Sequence, residues 1–125
     1  MKIFLICPVR NADPSLNIKL AGYVKSLEDE GHYVHWPTRD TKQEDPTGGY
    51  LICFRNFSAI QEADQIHIWY DESSNGSKFD MGGVFMLVEI LRYNKRIFIV
   101  NRGEAKVVDL KEKSFLKVMG FLVDH

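Results

Sequence analysis

Between Asp71 and Ser77 the chain sets two carboxylates, Asp71 and Glu72, and three hydroxyls, Ser73, Ser74 and Ser77, around Asn75 and Gly76. The segment lies between an apolar run and a helical pattern, so it meets the start of a helix. A helix start carries unpaired N–H groups and the positive end of the helix dipole, and small hydroxyl and glycine residues let an anion approach closely. That chemistry suits a phosphate or a carboxylate; the plainer alternative is that Ser74 or Ser77 caps the helix. Gly76-Ser77-Lys78 is not a Walker loop, because no glycine stands five positions before Gly76 and Phe79 follows Lys78. Asp80 falls in the expected first turn, between Phe79 and Met81, with Gly82 and Gly83 behind it. The dipole alone would favour a carboxylate there. A glycine pair weakens a helix unless close packing or a ligand compensates, which suggests a carboxylate held beside a ligand.

A second loaded loop is Pro8-Val9-Arg10-Asn11. A guanidinium at Arg10 can clamp a phosphate with two hydrogen bonds, or it can be a solvated loop arginine. The remaining reactive types point less clearly to a site. His32 and His35 are three apart on an expected strand and face opposite sides, a poor metal pair, and His67 reads as a satisfied sheet residue. No metal site is expected, and no cofactor. Cys7 reads as a small core residue, and Trp69 and Tyr70 as core packing or as a surface on which a base could stack.

These loops need elements to hold them, and the pattern alternates strand and helix from end to end. Residues 2–7 are an apolar run stopped by Pro8, as in a buried central strand. Ser15 is a candidate cap for a helix carrying Leu16, Leu20, Tyr23, Val24 and Leu27, closed by Gly31. A short strand over 33–36 stops at Pro37, and 38–49 reads as a long polar loop. A helix over 50–63, a strand over 65–70, a helix from Ser77 or Lys78 to about Asn94 and a strand over 96–100 follow. Phe115, Leu116, Met119 and Leu122 mark a last helix, and Val107 and Val108 suggest a short edge strand. Such alternation requires crossover connections and a mostly parallel sheet, with ligands at the carboxyl ends of the strands where their order reverses. Both loaded loops sit at such ends. The expected strand order is 2-1-3-4.

The chain has 125 residues, enough for one domain with its own core, and residues 1–125 read as a single domain. Sixteen basic against seventeen acidic residues leave no excess for binding duplex nucleic acid. No apolar run approaches a bilayer span, and the first residues lack the length and cleavage site of a signal peptide. Two cysteines form neither a disulfide framework nor a CxxC metal site, so a cytoplasmic location is expected.

The run from Ala63 to Gly82, ADQIHIWYDESSNGSKFDMG, resembles the nucleoside 2-deoxyribosyltransferase superfamily. It is similar, without gaps, to that family's Ala-Asp, strand, Ser/Asp-x-Gly-x-x-x-Glu-x-Gly pattern. Asn94-Lys95-Arg96 is similar to its Gly-Lys-Pro/Arg turn, and Pro8-Val9-Arg10 to its first phosphate- or sugar-facing loop; the likeness is nearest to the nucleoside 5'-monophosphate N-glycosidase branch. The resemblance implies a flavodoxin-like three-layer α/β sandwich with a parallel sheet of four or five strands. It also implies cleavage or transfer of the N-glycosidic bond of a nucleoside or nucleoside 5'-monophosphate through a carboxylate nucleophile. By position, Asp80 matches the nucleophilic Glu, Ser74 a phosphate ligand, Arg10 the first-loop arginine, and Asn56 an Asp facing base or sugar. Asp71 or Glu72 would supply the general acid, while Pro8, Gly76 and Ser77 would complete the substrate site. The family commonly builds its sites at dimer interfaces, so a homodimer or higher homo-oligomer is expected. Aromatic residues on the 50–63 and 77–94 helices either offer the surface for it or are all core. Two residues depart from the pattern: Asp80 is one methylene shorter than Glu, and Asn56 has no acidic proton to give. They open a second reading, a non-catalytic nucleotide-binding or sensing domain on the same fold.

Overall fold

A computed structural model describes residues 1–10, 12–103 and 113–123. Strand β1 (Lys2–Ile6) is followed by α1 (Pro14–Asp29), β2 (Tyr33–His35), the short α2 (Pro37–Asp40), α3 (Tyr50–Glu62), β3 (Gln65–Ile68), α4 (Asn75–Phe85), β4 (Arg96–Ile99) and α5 (Phe115–Val123). The sheet has the order β2-β1-β3-β4, and every pair in it is parallel. The fold is the flavodoxin-like α/β sandwich expected. β1 is central because all four side chains of Ile3–Ile6 are buried, which only a strand covered on both faces allows.

Alternation along β1 divides the core. Ile3, Leu5 and Cys7 pack with Leu20 and Val24 of α1 and with Val34 and Trp36. Phe4 and Ile6 pack on the other face with Ile60 of α3, Met81 and Val84 of α4, and Met119 and Leu122 of α5. Right-handed crossovers explain the split. The chain moves one way along the sheet from β1 to β2, then back past β1 to β3, so α3 and α4 must cover the face opposite α1. That reversal leaves a crevice above the carboxyl ends of β1 and β3.

Several boundaries differ from those expected. Asp13, not Ser15, caps α1: its carboxylate accepts the Ser15 N–H at 2.9 Å, and Pro14 takes the first helical position. The expected loop after β2 begins as the single turn α2. β3 ends at Ile68, because Tyr70 leaves the ladder to bond with Asn101, whose side chain accepts the Tyr70 N–H at 2.8 Å and donates to its carbonyl at 2.9 Å. α4 begins at Asn75, and its end widens into a π-helical turn over Met86–Ile90. The suggested strand at Val107 and Val108 lies outside the described residues.

Of the glycine pair behind Asp80, Gly83 has a packing reason. A Cβ there would lie 1.9 Å from the Phe57 ring, so glycine lets α3 close onto α4. A Cβ at Gly82 meets nothing within 4 Å.

Candidate functional site

The crevice at the strand reversal is a cleft of about 520 Å³. Its walls come from four segments: Cys7, Val9 and Arg10 after β1; Gln43 before α3; Ile52, Cys53 and Asn56 on α3; and residues 73–76 with Phe79 and Asp80 at the start of α4. Thus Arg10, Asn56, Ser74, Gly76 and Asp80 come together although they are spread over 71 positions of chain. Pro8, Asp71, Glu72 and Ser77 do not line the cleft. Pro8 is buried behind it. Asp71 accepts from the Ser73 N–H at 2.8 Å and from its hydroxyl at 2.7 Å, forming a local turn. Glu72 pairs with the Tyr70 hydroxyl and lies 3.4 Å from Lys78 Nζ. Ser77 is buried within the helix start.

Asp80 is the one carboxylate among the lining residues. It is only 8% exposed, and burial pushes its pKa up to about 7. No cation or hydrogen-bond donor among the described residues offsets that burial. Because α4 begins at Asn75, Asp80 stands in the second turn rather than the first, beyond the reach of most dipole stabilisation. Two thiols face the same carboxylate. Its charge adds to the burial that raises both, and Cys7 reaches about 12. Both cysteines are therefore neutral, weakly polar walls rather than nucleophiles.

Ser74 is the N-cap of α4. Its hydroxyl oxygen accepts the Ser77 N–H at 3.2 Å, and its proton goes to the Ser77 hydroxyl at 2.9 Å. Capping therefore uses both serines, and the donors left for an anion are backbone ones. The N–H groups of Asn75 and Gly76, the first two helical residues, have no intrahelical acceptor. Arg10, an exposed residue of the same lining, adds a positive charge.

Asn56 is buried, and its carbonyl oxygen accepts the Thr41 hydroxyl at 2.7 Å. Trp69 and Tyr70 stay away from the cleft: Trp69 packs near α1 with Lys19 Nζ 4.9 Å from its ring centre, and Tyr70 is in the core. His67 sits against Tyr23 and Gln65, and burial holds its pKa down to about 4.

No family model matches this chain, and no curated protein matches it. Among solved structures, a 2-deoxyribosyltransferase from Bacillus psychrosaccharolyticus superposes with a TM-score of 0.61 at 18% identity, over 95% of this chain and 90% of that one. The chain has a 2-deoxyribosyltransferase fold. A CMP N-glycosidase, BcmB, from Clostridium botulinum matches over 97% and 99% of the two chains, at 15% identity and a TM-score of 0.44. The first neighbour is of the kind the sequence resembles around Ala63–Gly82. On the deoxyribosyltransferase fold this chain builds its cleft with Cys7, Val9, Gln43, Ile52, Cys53, Ser73, Asn75 and Phe79 besides the residues singled out from sequence. A signal for some was present: Ile52, Cys53 and Asn56 share one face of α3 by their spacing, and Cys7 closes the central strand.

Proposed function

We propose that the cleft binds a nucleoside 5'-monophosphate, or the corresponding nucleoside, and that Asp80 attacks its anomeric carbon to break the N-glycosidic bond. One observation carries this reading: a buried carboxylate, with no compensating cation among the described residues, lines the same cleft as Arg10 and the first residues of α4. The cleft volume lies within the range typical of small-molecule sites. The phosphate would meet the Asn75 and Gly76 amides and Arg10. Cleavage of a glycosidic bond develops positive charge on the sugar. An unpaired carboxylate in a low-dielectric wall gains most when such a charge forms beside it.

In the first step an Asp80 oxygen bonds to the anomeric carbon, and the glycosidic electron pair leaves with the base nitrogen, which takes a proton. In the second, water attacks the same carbon, loses a proton, and releases Asp80 as a carboxylate; a second base in place of water would give transfer. Asp71 and Glu72 are held outside the cleft, so the proton to the departing base travels through water. The absence of a second carboxylate among the lining residues favours the alternative, a nucleotide sensor without chemistry. Chromatography for free base, over ribo- and deoxyribonucleoside monophosphates, separates the two: release supports the enzyme, and calorimetric binding without release supports the sensor.

The phosphate assignment has its own test. Arg10→Ala should weaken monophosphate binding by about fivefold to tenfold and leave binding of the matching nucleoside nearly unchanged, because the lost interaction is one solvent-facing charged hydrogen bond. Equal weakening of both ligands in calorimetry would remove the phosphate from Arg10.

The reading also includes a homo-oligomer. Tyr50 and Phe54 on α3 and Phe79, Phe85 and Met86 on or just after α4 are exposed large apolar groups. That surface suits an isologous contact near the mouth of the cleft. Sedimentation should give a dimer or larger species at micromolar concentration, and a monomer there with and without nucleotide would reject it. Both cysteines are free thiols, as a reducing cytoplasm would keep them. Among the described residues no helix is long and apolar enough to cross a membrane.

A further inference from the structure

A chain of hydrogen bonds runs from β2 to the wall of the cleft. His35 Nε2 lies 2.8 Å from Thr41 Oγ1, and Thr41 Oγ1 donates to Asn56 Oδ1 at 2.7 Å. A hydroxyl has one proton. Since Thr41 gives its proton to Asn56, the hydrogen between Thr41 and His35 must belong to Nε2 of the imidazole. The His35 ring is stacked on Phe4, with centroids 5.2 Å apart and planes 11° from parallel, which holds Nε2 against Thr41. Burial lowers the His35 pKa, so the ring is neutral and this hydrogen is its only one. With the carbonyl end of Asn56 occupied, its NH2 is the end left for the cleft that it lines. No described residue accepts from it.

Gln43 is held with the opposite polarity. Its Nε2 donates to the carbonyls of Thr41 at 2.8 Å and Pro37 at 3.2 Å, so its side-chain oxygen is the end left for the same cleft. An amide free to rotate would accept either a donor or an acceptor from a ligand; these two do not rotate without breaking internal bonds. We propose that Thr41, held by His35, is a positioning residue that fixes Asn56 as a hydrogen-bond donor, so that the cleft selects a nucleotide whose base places an acceptor against it. This inference rests on the nucleotide reading. Thr41 is buried and does not line the cleft; its hydroxyl reaches the cleft through Asn56, while its backbone carbonyl, which any replacement keeps, holds Gln43.

Two measurements test it. In the ligand-free protein, ¹⁵N resonances should show His35 as the Nε2–H tautomer. In calorimetry with AMP, CMP, GMP, UMP and IMP, the wild type should spread its affinities by about tenfold or more, the discrimination expected of one oriented hydrogen bond. Thr41→Val should compress that spread to within about threefold, and Thr41→Ser should restore it. Asn56→Asp still accepts the Thr41 proton but turns an oxygen to the cleft. It should weaken the wild type's preferred nucleotide by about tenfold and change the order of preference. A Thr41→Val protein that loses affinity equally for all five would mark Thr41 as merely structural and overturn the inference. So would an Nδ1–H tautomer with nucleotide binding intact. Should Thr41→Val fail to fold, the tautomer and the Asn56→Asp order still decide. Failure of the wild type to bind any of the five, their 2'-deoxy counterparts or the matching nucleosides overturns the proposed function, and this inference with it.

Discussion

Asp80→Ala should abolish the release of free base from nucleoside monophosphates, a loss on the order of 10³-fold or more, while leaving the fold intact. The expected size is that of removing the group that forms the covalent bond, after which binding alone gives only residual rate. The fold should survive because the change removes a buried, unpartnered carboxylate and leaves a small gap that opens onto the cleft rather than a core cavity. Asp80→Glu is the sharper probe. It adds the methylene of the glutamate that the sequence resemblance sets at this position, and it should keep or raise activity if reach limits the present side chain. Circular dichroism verifies folding and chromatography measures base. Release that persists in Asp80→Ala at the wild-type rate would take the nucleophile away from Asp80. Binding in wild type and variant, with release from neither, would leave a sensor.

The second large effect is a pH dependence in which stability and activity move in opposite directions. Asp80 has a folded pKa of about 7, raised by burial, against roughly 3.9 in an unfolded chain. Below about pH 4 both states hold the proton and the group contributes nothing. Between pH 4 and 7 the unfolded state loses its proton first, so the native state binds more protons and stability falls as pH rises. Above pH 7 the full penalty is present, roughly 4 kcal/mol. Asp80→Asn removes the ionisation. Its melting temperature should match the wild type near pH 4 and exceed it at pH 8 by on the order of 10 °C.

On the proposed mechanism activity should follow the opposite sign, because only an ionised carboxylate can attack the anomeric carbon. kcat/KM should rise through about pH 7 and level off above it. A nucleoside substrate isolates this titration from that of a phosphate, which itself ionises near pH 6. Equal pH dependence of melting in wild type and Asp80→Asn would show that Asp80 carries no such penalty. Confirmed, the pair of profiles would describe a site that gives up stability for a reactive anion.

Much of the frame was legible in the residues. Uninterrupted apolar character over Ile3–Ile6 required a strand buried on both faces, and the strand–helix alternation required crossovers. Together these imply the β2-β1-β3-β4 order and a cleft at the ends of β1 and β3. Arg10, Ser74, Gly76 and Asp80 could be singled out from the loaded loops at a strand end and a helix start, whereas Asn56, in the middle of α3, was marked by the family resemblance alone.

Other features depended on distances between segments remote in sequence. Asp71 and Glu72 share the loop with Ser74, yet local bonds to Ser73, Tyr70 and Lys78 hold both outside the cleft. Gly83 has its reason in Phe57, 26 positions earlier. Composition does not show that Asp80 lacks a cation, since the chain has 16 basic residues and packing brings none of the described ones to it. Nor could it show the orientation of Asn56, set by a hydroxyl 15 positions away and an imidazole 21 away. A sequence carries periodicity and chemical type, which determine elements and candidate groups. Burial, pairing and the direction of a hydrogen bond belong to neighbours in space, and only the packed structure chooses those.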